Sequence, residues 1–404
     1  MKINNTKAIY LILILGVIIR LLLSFLPAFE SDQNAFRFWT DRLAGVGPSN
    51  FYSSFIFTNN PLGMLYFFWL IGFLKSTLLS SIIIPPNIDL FLKLAANASD
   101  LATGFLIYKI IKEKLSAKAG NIAASLYIFN PGLTFNSAVW GQYDSVAILF
   151  LVLSIYYCLI KKNPVICSIF FSLAWITKPQ SLELAPFLLF FFLKNFKPIQ
   201  WIYSFFSFVI TAIIVFFPFF PNNPLYGIYS VNIGSTSLFS CTTCNALNFW
   251  GIFGNWKNDM NLFLNLPLLT WGFILLSVFL IIVFSLKKLK GDISYFTISI
   301  SMLAFFMLLT RMHERYLAYF FPFILLSAIL LKSRILTGFY AFFSLVFLLN
   351  LYLPYAYYNN LAKITNLPVN MLMNFFGYFS FVSFFGFILL YLYYLGYVKK
   401  NTVT

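Results

Sequence analysis

The chain has 404 residues, of which 61% are hydrophobic, 21% aromatic and only 9% charged. No soluble globular domain needs that much apolar surface. The net charge of +16 lies in short lysine clusters between apolar runs, which points to topogenic lysines and away from a nucleic-acid partner.

The first apolar run, Ala8–Leu26, is long enough to cross a bilayer. It reads as a span and not as a cleaved signal, because no A-x-A-like site follows it. Charge returns in Glu30–Trp39, where Glu30, Asp32 and Arg37 stand among aromatic residues. A carboxylate just outside a membrane helix, beside a cation and stacking surfaces, suits chemistry on a lipid-borne polar substrate. The same stretch also suits a solvated loop with an N-cap aspartate opening a short helix.

Two runs follow, Leu62–Ile84 and Leu90–Ile107, ahead of Lys109, Lys112, Lys114 and Lys118. Lys2 and Lys7 place the N-terminus in the cytoplasm. If both runs crossed, the later lysines would land outside. Leu62–Ile84 opens after Asn59-Asn60-Pro61, carries Lys75 and ends at Pro85-Pro86, so it is expected to lie at the outer surface. The spans then alternate: Ala119–Ser137, Ser145–Ile160, Val165–Thr177, Ser181–Leu193, Trp201–Pro218, Leu268–Leu286, Ser294–Leu309, Leu317–Leu331, Leu336–Leu353 and Phe375–Val398. The clusters Lys161/Lys162, Lys194/Lys197, Lys287/Lys288/Lys290, Lys332/Arg334 and Lys399/Lys400 all fall on the cytoplasmic side. The expected fold is an all-α polytopic membrane protein with about twelve crossings, a juxtamembrane helix and both termini cytoplasmic. The short pair around Lys178-Pro179-Gln180 makes a hairpin whose turn sits below the outer surface.

Of the eleven acidic residues, only Glu113 and Asp292 then fall on the cytoplasmic side, which marks the outer half as the working face. Four polar islands converge there. They are Glu30/Asp32/Arg37; Trp140-Gly141-Gln142-Tyr143-Asp144-Ser145; Lys178-Pro179-Gln180; and Arg311-Met312-His313-Glu314-Arg315-Tyr316, which holds the single histidine. Ionisable residues at the membrane edge are costly and default to function. The tryptophan island could instead be an N-cap at Asp144 or Ser145 with an interfacial indole, and the arginine island a headgroup anchor. Cys241 and Cys244 form a loop C-x-x-C that alone cannot close a zinc site, leaving a disulfide or no role. Cys158 and Cys167 lie in apolar runs as filler.

An outer face lacks nucleotide sugars, so its substrate must be activated before export, as a lipid phosphate carrying a sugar is. Arg311, Arg315, His313 and Lys178 would hold the donor phosphate. A carboxylate, Asp32 first, would act as general base for the acceptor hydroxyl. Glu30, Arg37, Trp140, Gln142, Tyr143, Asp144, Gln180 and Glu314 complete the expected substrate site. If residues 311–315 are helical, Arg311 and Arg315 share one face. An ionised leaving group makes no metal or other cofactor obligatory, and no His/Asp cluster has metal spacing.

In order, D-Q-N-A-F-R-F-W from Asp32, F-Y at Phe51, K-L-x5-D over Lys93–Asp100, W-G-Q-Y-D-S from Trp140, K-P-Q at Lys178, N-A-L-N-F-W-G-I-F-G from Asn245 and R-M-H-E-R-Y from Arg311 resemble integral-membrane GT-C glycosyltransferases that use polyprenyl-phosphate sugars. Closest in look are prokaryotic mannosyltransferases related to GPI mannosyltransferase II. More distantly the chain is similar to the dolichyl-phosphate-glucose-dependent glucosyltransferases of asparagine-linked glycan assembly. The resemblance implies a GT-C fold and a first outer-loop aspartate, Asp32, as catalytic base. It implies transfer of a hexose, mannose favoured, to a lipid- or glycan-linked acceptor at the outer face of a prokaryotic plasma membrane. Where relatives often carry Asp-x-Pro-Pro in the first loop, this chain has Asn59-Asn60-Pro61-Leu62 and lacks that second carboxylate. The expected organisation is one membrane domain, 1–404, with a catalytic module 1–218 that includes a first outer loop 27–89, an outer lid loop 219–266 and a C-terminal helical module 267–404. A flippase or transporter would show an internal repeat of hydropathy and midplane charges, and neither is evident. A non-enzymatic assembly factor would not need Asp32 beside phosphate-binding arginines.

Overall fold

The computed structural model describes residues 5–52, 61–84, 87–234, 239–286, 291–359 and 369–400. Lys2, Asn59-Asn60, Pro85-Pro86 and the Lys287/Lys288/Lys290 cluster lie outside them.

The described residues are almost entirely helical, and their only paired strands are the two-residue partners Leu262–Phe263 and Leu266–Pro267. The chain opens with α1 (Asn5–Ser24), α2 (Glu30–Val46) and α3 (Leu65–Ser76). A short α4 (Ile88–Leu92) leads into α5 (Leu94–Lys114). Next come α6 (Ala117–Ile128), α7 (Pro131–Thr134), α8 (Asp144–Ile155), α9 (Pro164–Thr177), α10 (Ala185–Asn195) and α11 (Pro198–Phe216). The segment between α11 and the second half carries α12 (Pro224–Gly234). The second half holds α13 (Leu268–Ser285), α14 (Ile293–Leu308), α15 (Phe321–Leu330), α16 (Arg334–Tyr358) and a last long helix, Phe376–Lys400.

Local chemistry sets many of these starts. Ser116, Asn130, Asn163 and Ser333 each accept a hydrogen bond from the backbone N–H three residues on, and Pro131 and Pro164 occupy first helical positions. Pro131 also explains one difference from expectation. The run Ala119–Ser137 is not one helix but α6, the short α7 and a π-helical turn over Phe135–Trp140, because proline breaks the hydrogen-bond ladder.

Among the described residues, six helices are long and apolar enough to cross a membrane: Lys7–Ser24, Ile88–Lys114, Pro198–Phe216, Leu268–Ser285, Arg334–Tyr358 and Phe376–Lys400. The other expected crossings are shorter helical pieces, several joined by 3-10 or π turns. Residues Leu62–Ser76 form a shorter apolar helix; at 1.5 Å per residue it falls well short of the roughly 30 Å hydrocarbon core.

Burial sorts the bundle. α14 and α15 are buried nearly along their whole length and form its centre. α1 buries only a stripe through Ile9, Gly16, Arg20 and Ser24 and exposes large apolar side chains elsewhere. An exposed apolar surface of that extent is what a lipid-facing helix needs. A second core unites α2, α3 and the end of α11 through Phe36, Trp39, Leu65, Phe68 and Phe216.

Candidate active site

The corner between α1 and α2 carries Asp32, and it is fastened from several sides. The Phe29 N–H donates to the Trp140 carbonyl at 3.2 Å, and the two rings stack at 4.3 Å. From the end of α16, Asn359 accepts from the Glu30 N–H at 3.2 Å and donates to the Ala28 carbonyl at 2.9 Å. Tyr355 donates to the Pro27 carbonyl. The buried Lys93 ammonium donates to the Ser24 and Leu26 carbonyls at 3.0 and 3.1 Å, satisfying carbonyls that the end of α1 leaves open.

Asp32 lies in the first turn of α2, where a helix favours negative charge. Its Oδ2 accepts from Trp140 Nε1 at 2.8 Å and from Gln142 Nε2 at 2.6 Å. Among the described residues its Oδ1 accepts no hydrogen bond, and the residue is half-buried. The W-G-Q turn needs its glycine. Gly141 has φ +87°, and a Cβ there would stand 2.3 Å from Gln33 Nε2.

Behind this carboxylate lies a buried charge pair. Lys178, just past the end of α9, donates to Gln142 Oε1 at 3.2 Å and pairs with Asp144 Oδ1 at 3.4 Å. Its ammonium also sits 4.2 Å from the Tyr143 ring centre. Asp144 accepts in addition from Asn136 and Tyr319, each at 3.4 Å. Asp144 opens α8 without capping it by a side-chain bond; its carboxylate answers the lysine. Trp140, Gln142 and Tyr143 are buried too, so they back the carboxylate rather than present open faces.

The arginine island is not one helical face. α14 ends at Leu308, Arg311 has φ +61° and a 3-10 turn starts only at Glu314. Arg311 is turned to the loop ahead of α13, where its Nε and Nη2 hold Asp259 at 2.6 and 3.2 Å while Thr310 donates to the same carboxylate at 3.1 Å. The Arg311 N–H donates to the Cys241 carbonyl, and the Cys244 N–H to that of Met312, both at 2.9 Å. A disulfide joins Cys241 and Cys244.

Arg315 instead faces inward. Its Nη1 donates to Glu314 Oε1 at 2.7 Å, while its Nε is buried with no partner among the described residues. The charges of Asp32 and Asp144 act on this guanidinium, and Asp32 acts on Lys178 and Glu314. Burial, with Arg315 and Lys178 nearby, pushes His313 well below the usual imidazole range, so at neutral pH it is uncharged. Burial raises Glu314, against the pull of Arg315.

The structure therefore gathers Asp32, Trp140, Gln142, Tyr143, Asp144 and Lys178, with Glu314 and Arg315 in electrostatic reach. Gln180 stands on the 3-10 turn after Lys178, its Oε1 buried and unpartnered among the described residues. Glu30 is exposed at the start of α2. Arg37 is spent on Asp89, with contacts of 2.7 and 2.5 Å, and on Asn34. Among the described residues no group of three His, Cys, Asp or Glu side chains stands in metal-binding range. Sequence reasoning missed Gln33, Asn136 and Asp259. Lys93 and Asp100 carried a signal in K-L-x5-D, and both are braces: Asp100 pairs with Arg20 at 3.4 Å and accepts from Ser137 at 2.6 Å.

Residues 76–230 match the ALG6, ALG8 glycosyltransferase family, the kinship that sequence motifs placed second. The matched stretch holds the Trp140–Ser145 and Lys178–Gln180 islands, while Asp32 and Arg315 lie outside it. The chain is also 31% identical over 103 residues to GPI mannosyltransferase 1 of Candida albicans, which covers 24% of this chain and 26% of that protein. The match thus spans about a quarter of the relative's length. Within an all-α polytopic frame, residues 76–230 are thus similar to the ALG6, ALG8 glycosyltransferase family, and a 103-residue stretch is similar to a GPI mannosyltransferase.

Proposed function

We propose that the protein transfers a hexose, mannose favoured, from a polyprenyl-phosphate donor to a hydroxyl of a lipid- or glycan-linked acceptor. Transfer takes place on the extracytoplasmic side of a prokaryotic plasma membrane and inverts the anomeric centre. The observation that carries this reading is the half-anchored carboxylate of Asp32: Oδ2 held by two donors and Oδ1 open among the described residues, in electrostatic reach of a guanidinium with a buried donor to spare.

The acceptor hydroxyl gives its proton to Asp32 Oδ1 as its oxygen attacks the anomeric carbon. The bond from that carbon to the phosphate oxygen breaks, and its electron pair leaves with the polyprenyl phosphate. Arg315 binds the phosphate and stabilises the charge that grows on it. Neutral His313 can donate one hydrogen bond there but brings no charge. The matching family segment and the mannosyltransferase relative support the reaction class.

The test is to express the full chain in membranes and supply labelled polyprenyl-phosphate mannose and, separately, polyprenyl-phosphate glucose. Label should pass from one donor to a membrane acceptor, and Asp32→Asn should abolish transfer while donor binding persists. Transfer from neither donor overturns the reading, and normal transfer by Asp32→Asn removes Asp32 as base.

A further inference from the structure

We infer that Lys178 and Gln142 form a positioning chain that holds Asp32 by Oδ2 and so makes Oδ1 the atom that takes the acceptor proton. The inference rests on the reading of Asp32 as general base.

The argument starts from the two-sidedness of a side-chain amide. Glutamine can present either its oxygen or its NH2 to a neighbour. Presented oxygen-first, Gln142 would repel the Asp32 carboxylate. Lys178 removes the choice. An ammonium has only donors, and its contact to Gln142 Oε1 at 3.2 Å turns Nε2 towards Asp32 Oδ2, 2.6 Å away. Trp140 Nε1 fills the other side of Oδ2 at 2.8 Å. Two donors saturate that oxygen, and the proton-accepting capacity is left on Oδ1.

The same geometry argues against Lys178 as a phosphate ligand. Its ammonium has three N–H groups. One meets Gln142, one meets Asp144 at 3.4 Å, and the ammonium lies 4.2 Å from the Tyr143 ring centre. The residue is buried, and Asp144 is fully buried against it. A lysine so engaged acts through its neighbour. The other charged groups acting around Asp32 are Arg315, Glu314 and Asp144, and none of them bonds to Oδ2.

The experiment uses full-length protein in membranes with whichever labelled polyprenyl-phosphate sugar the wild type transfers. Gln142→Met, Lys178→Met and the double variant are compared for kcat and for donor KM. Each single variant should lower kcat about 10- to 100-fold, less than the 10²–10⁴-fold typical of losing a base, with donor KM within about twofold. The double variant should be no slower than the worse single, because links of one chain are not additive. Lys178→Arg, which can still donate to both partners, should recover most of kcat.

Lys178→Met leaves Asp144 buried without its cation, so Lys178→Met/Asp144→Asn serves as the charge-balanced control and should stay slow while folding. A Lys178 variant that raises donor KM at normal kcat overturns the inference in favour of a phosphate ligand. Multiplying effects in the double variant overturn it as well. If Asp32→Asn abolishes transfer but Gln142→Met does not slow it, only this inference falls. If Asp32→Asn transfers normally, or the wild type uses neither donor, the parent reading falls and takes this one with it.

Discussion

Two carboxylates, Asp259 and Asp32, differ in how completely they are satisfied. Around Asp259 every strong valence is spent: the residue is fully buried, both oxygens face Arg311, and Thr310 adds a third bond. Around Asp32 the network among the described residues stops short, with one oxygen held and one open, and Arg315, in electrostatic reach, keeps a buried Nε in reserve. Asp32 and Arg311 both come from charged islands of the sequence, but only Arg311 is spent on a buried carboxylate. A saturated assembly clasps structure, whereas an unsaturated one has capacity left for a substrate.

The contrast breaks first at Asp32. Asp32→Asn should cost about 10²–10⁴-fold in kcat with little change in thermal stability, read by transfer of label and by a melting curve on the same preparation. A melting point that falls as far as activity would make Asp32 another clasp.

Asp259→Asn should do the reverse. Breaking a buried pair by removing one partner costs about 3–5 kcal/mol, so the melting temperature should drop while kcat at permissive temperature stays within a few-fold. A large loss of kcat without destabilisation would move Arg311 back into the active site.

At Arg315 the expected effect is smaller and of another kind. Arg315→Lys keeps charge but loses the fork, and should raise donor KM by about tenfold, or roughly 1.4 kcal/mol. An unchanged donor KM would assign the phosphate elsewhere.

The smallest effect is a pH dependence. The folded His313 is depressed by burial first and by Arg315 and Lys178 next, so the unfolded chain binds its proton more readily. Its stabilising share is complete above the ordinary value near 6.5 and is lost as pH falls from there towards the folded value. The melting temperature of the wild type should therefore drop more between pH 7.5 and 5.5 than that of His313→Gln. The difference should be at most about 2–4 °C, the shift that 1 kcal/mol produces in a mid-sized domain. Equal drops in the two proteins would show that His313 titrates freely.

Long apolar runs and their lysine flanks made the helices legible, because burial in lipid leaves a signal of about twenty residues that needs no partner to be read. The meeting of Asp32 with the Trp140–Asp144 island was legible from chemistry, since both had to serve one face. The Arg311–Asp259 clasp was not. Its partners are 52 residues apart across an irregular loop, and nothing periodic links them. The four-residue spacing of Arg311 and Arg315 misled for a related reason: it carries meaning only inside a helix, and the left-handed backbone at Arg311 ends that premise. Nor could composition tell that Trp140 is buried behind the carboxylate instead of facing a sugar. Pro131 was overlooked in the same way: Ala119–Ser137 read as one span, although a proline within it breaks the helix.

The Lys93 ammonium on the carbonyls of Ser24 and Leu26 has a consequence for motion. A carboxylate at the top of a lone, lipid-facing helix would rock with that helix. Lys93 bolts the last turn of α1 to α5, and Trp140 and Asn359 pin the next residues, so thermal swings of α1 are damped before they reach Asp32. The entropy of holding the base still is lost once, when the chain folds, and does not have to be lost again at each encounter with a substrate.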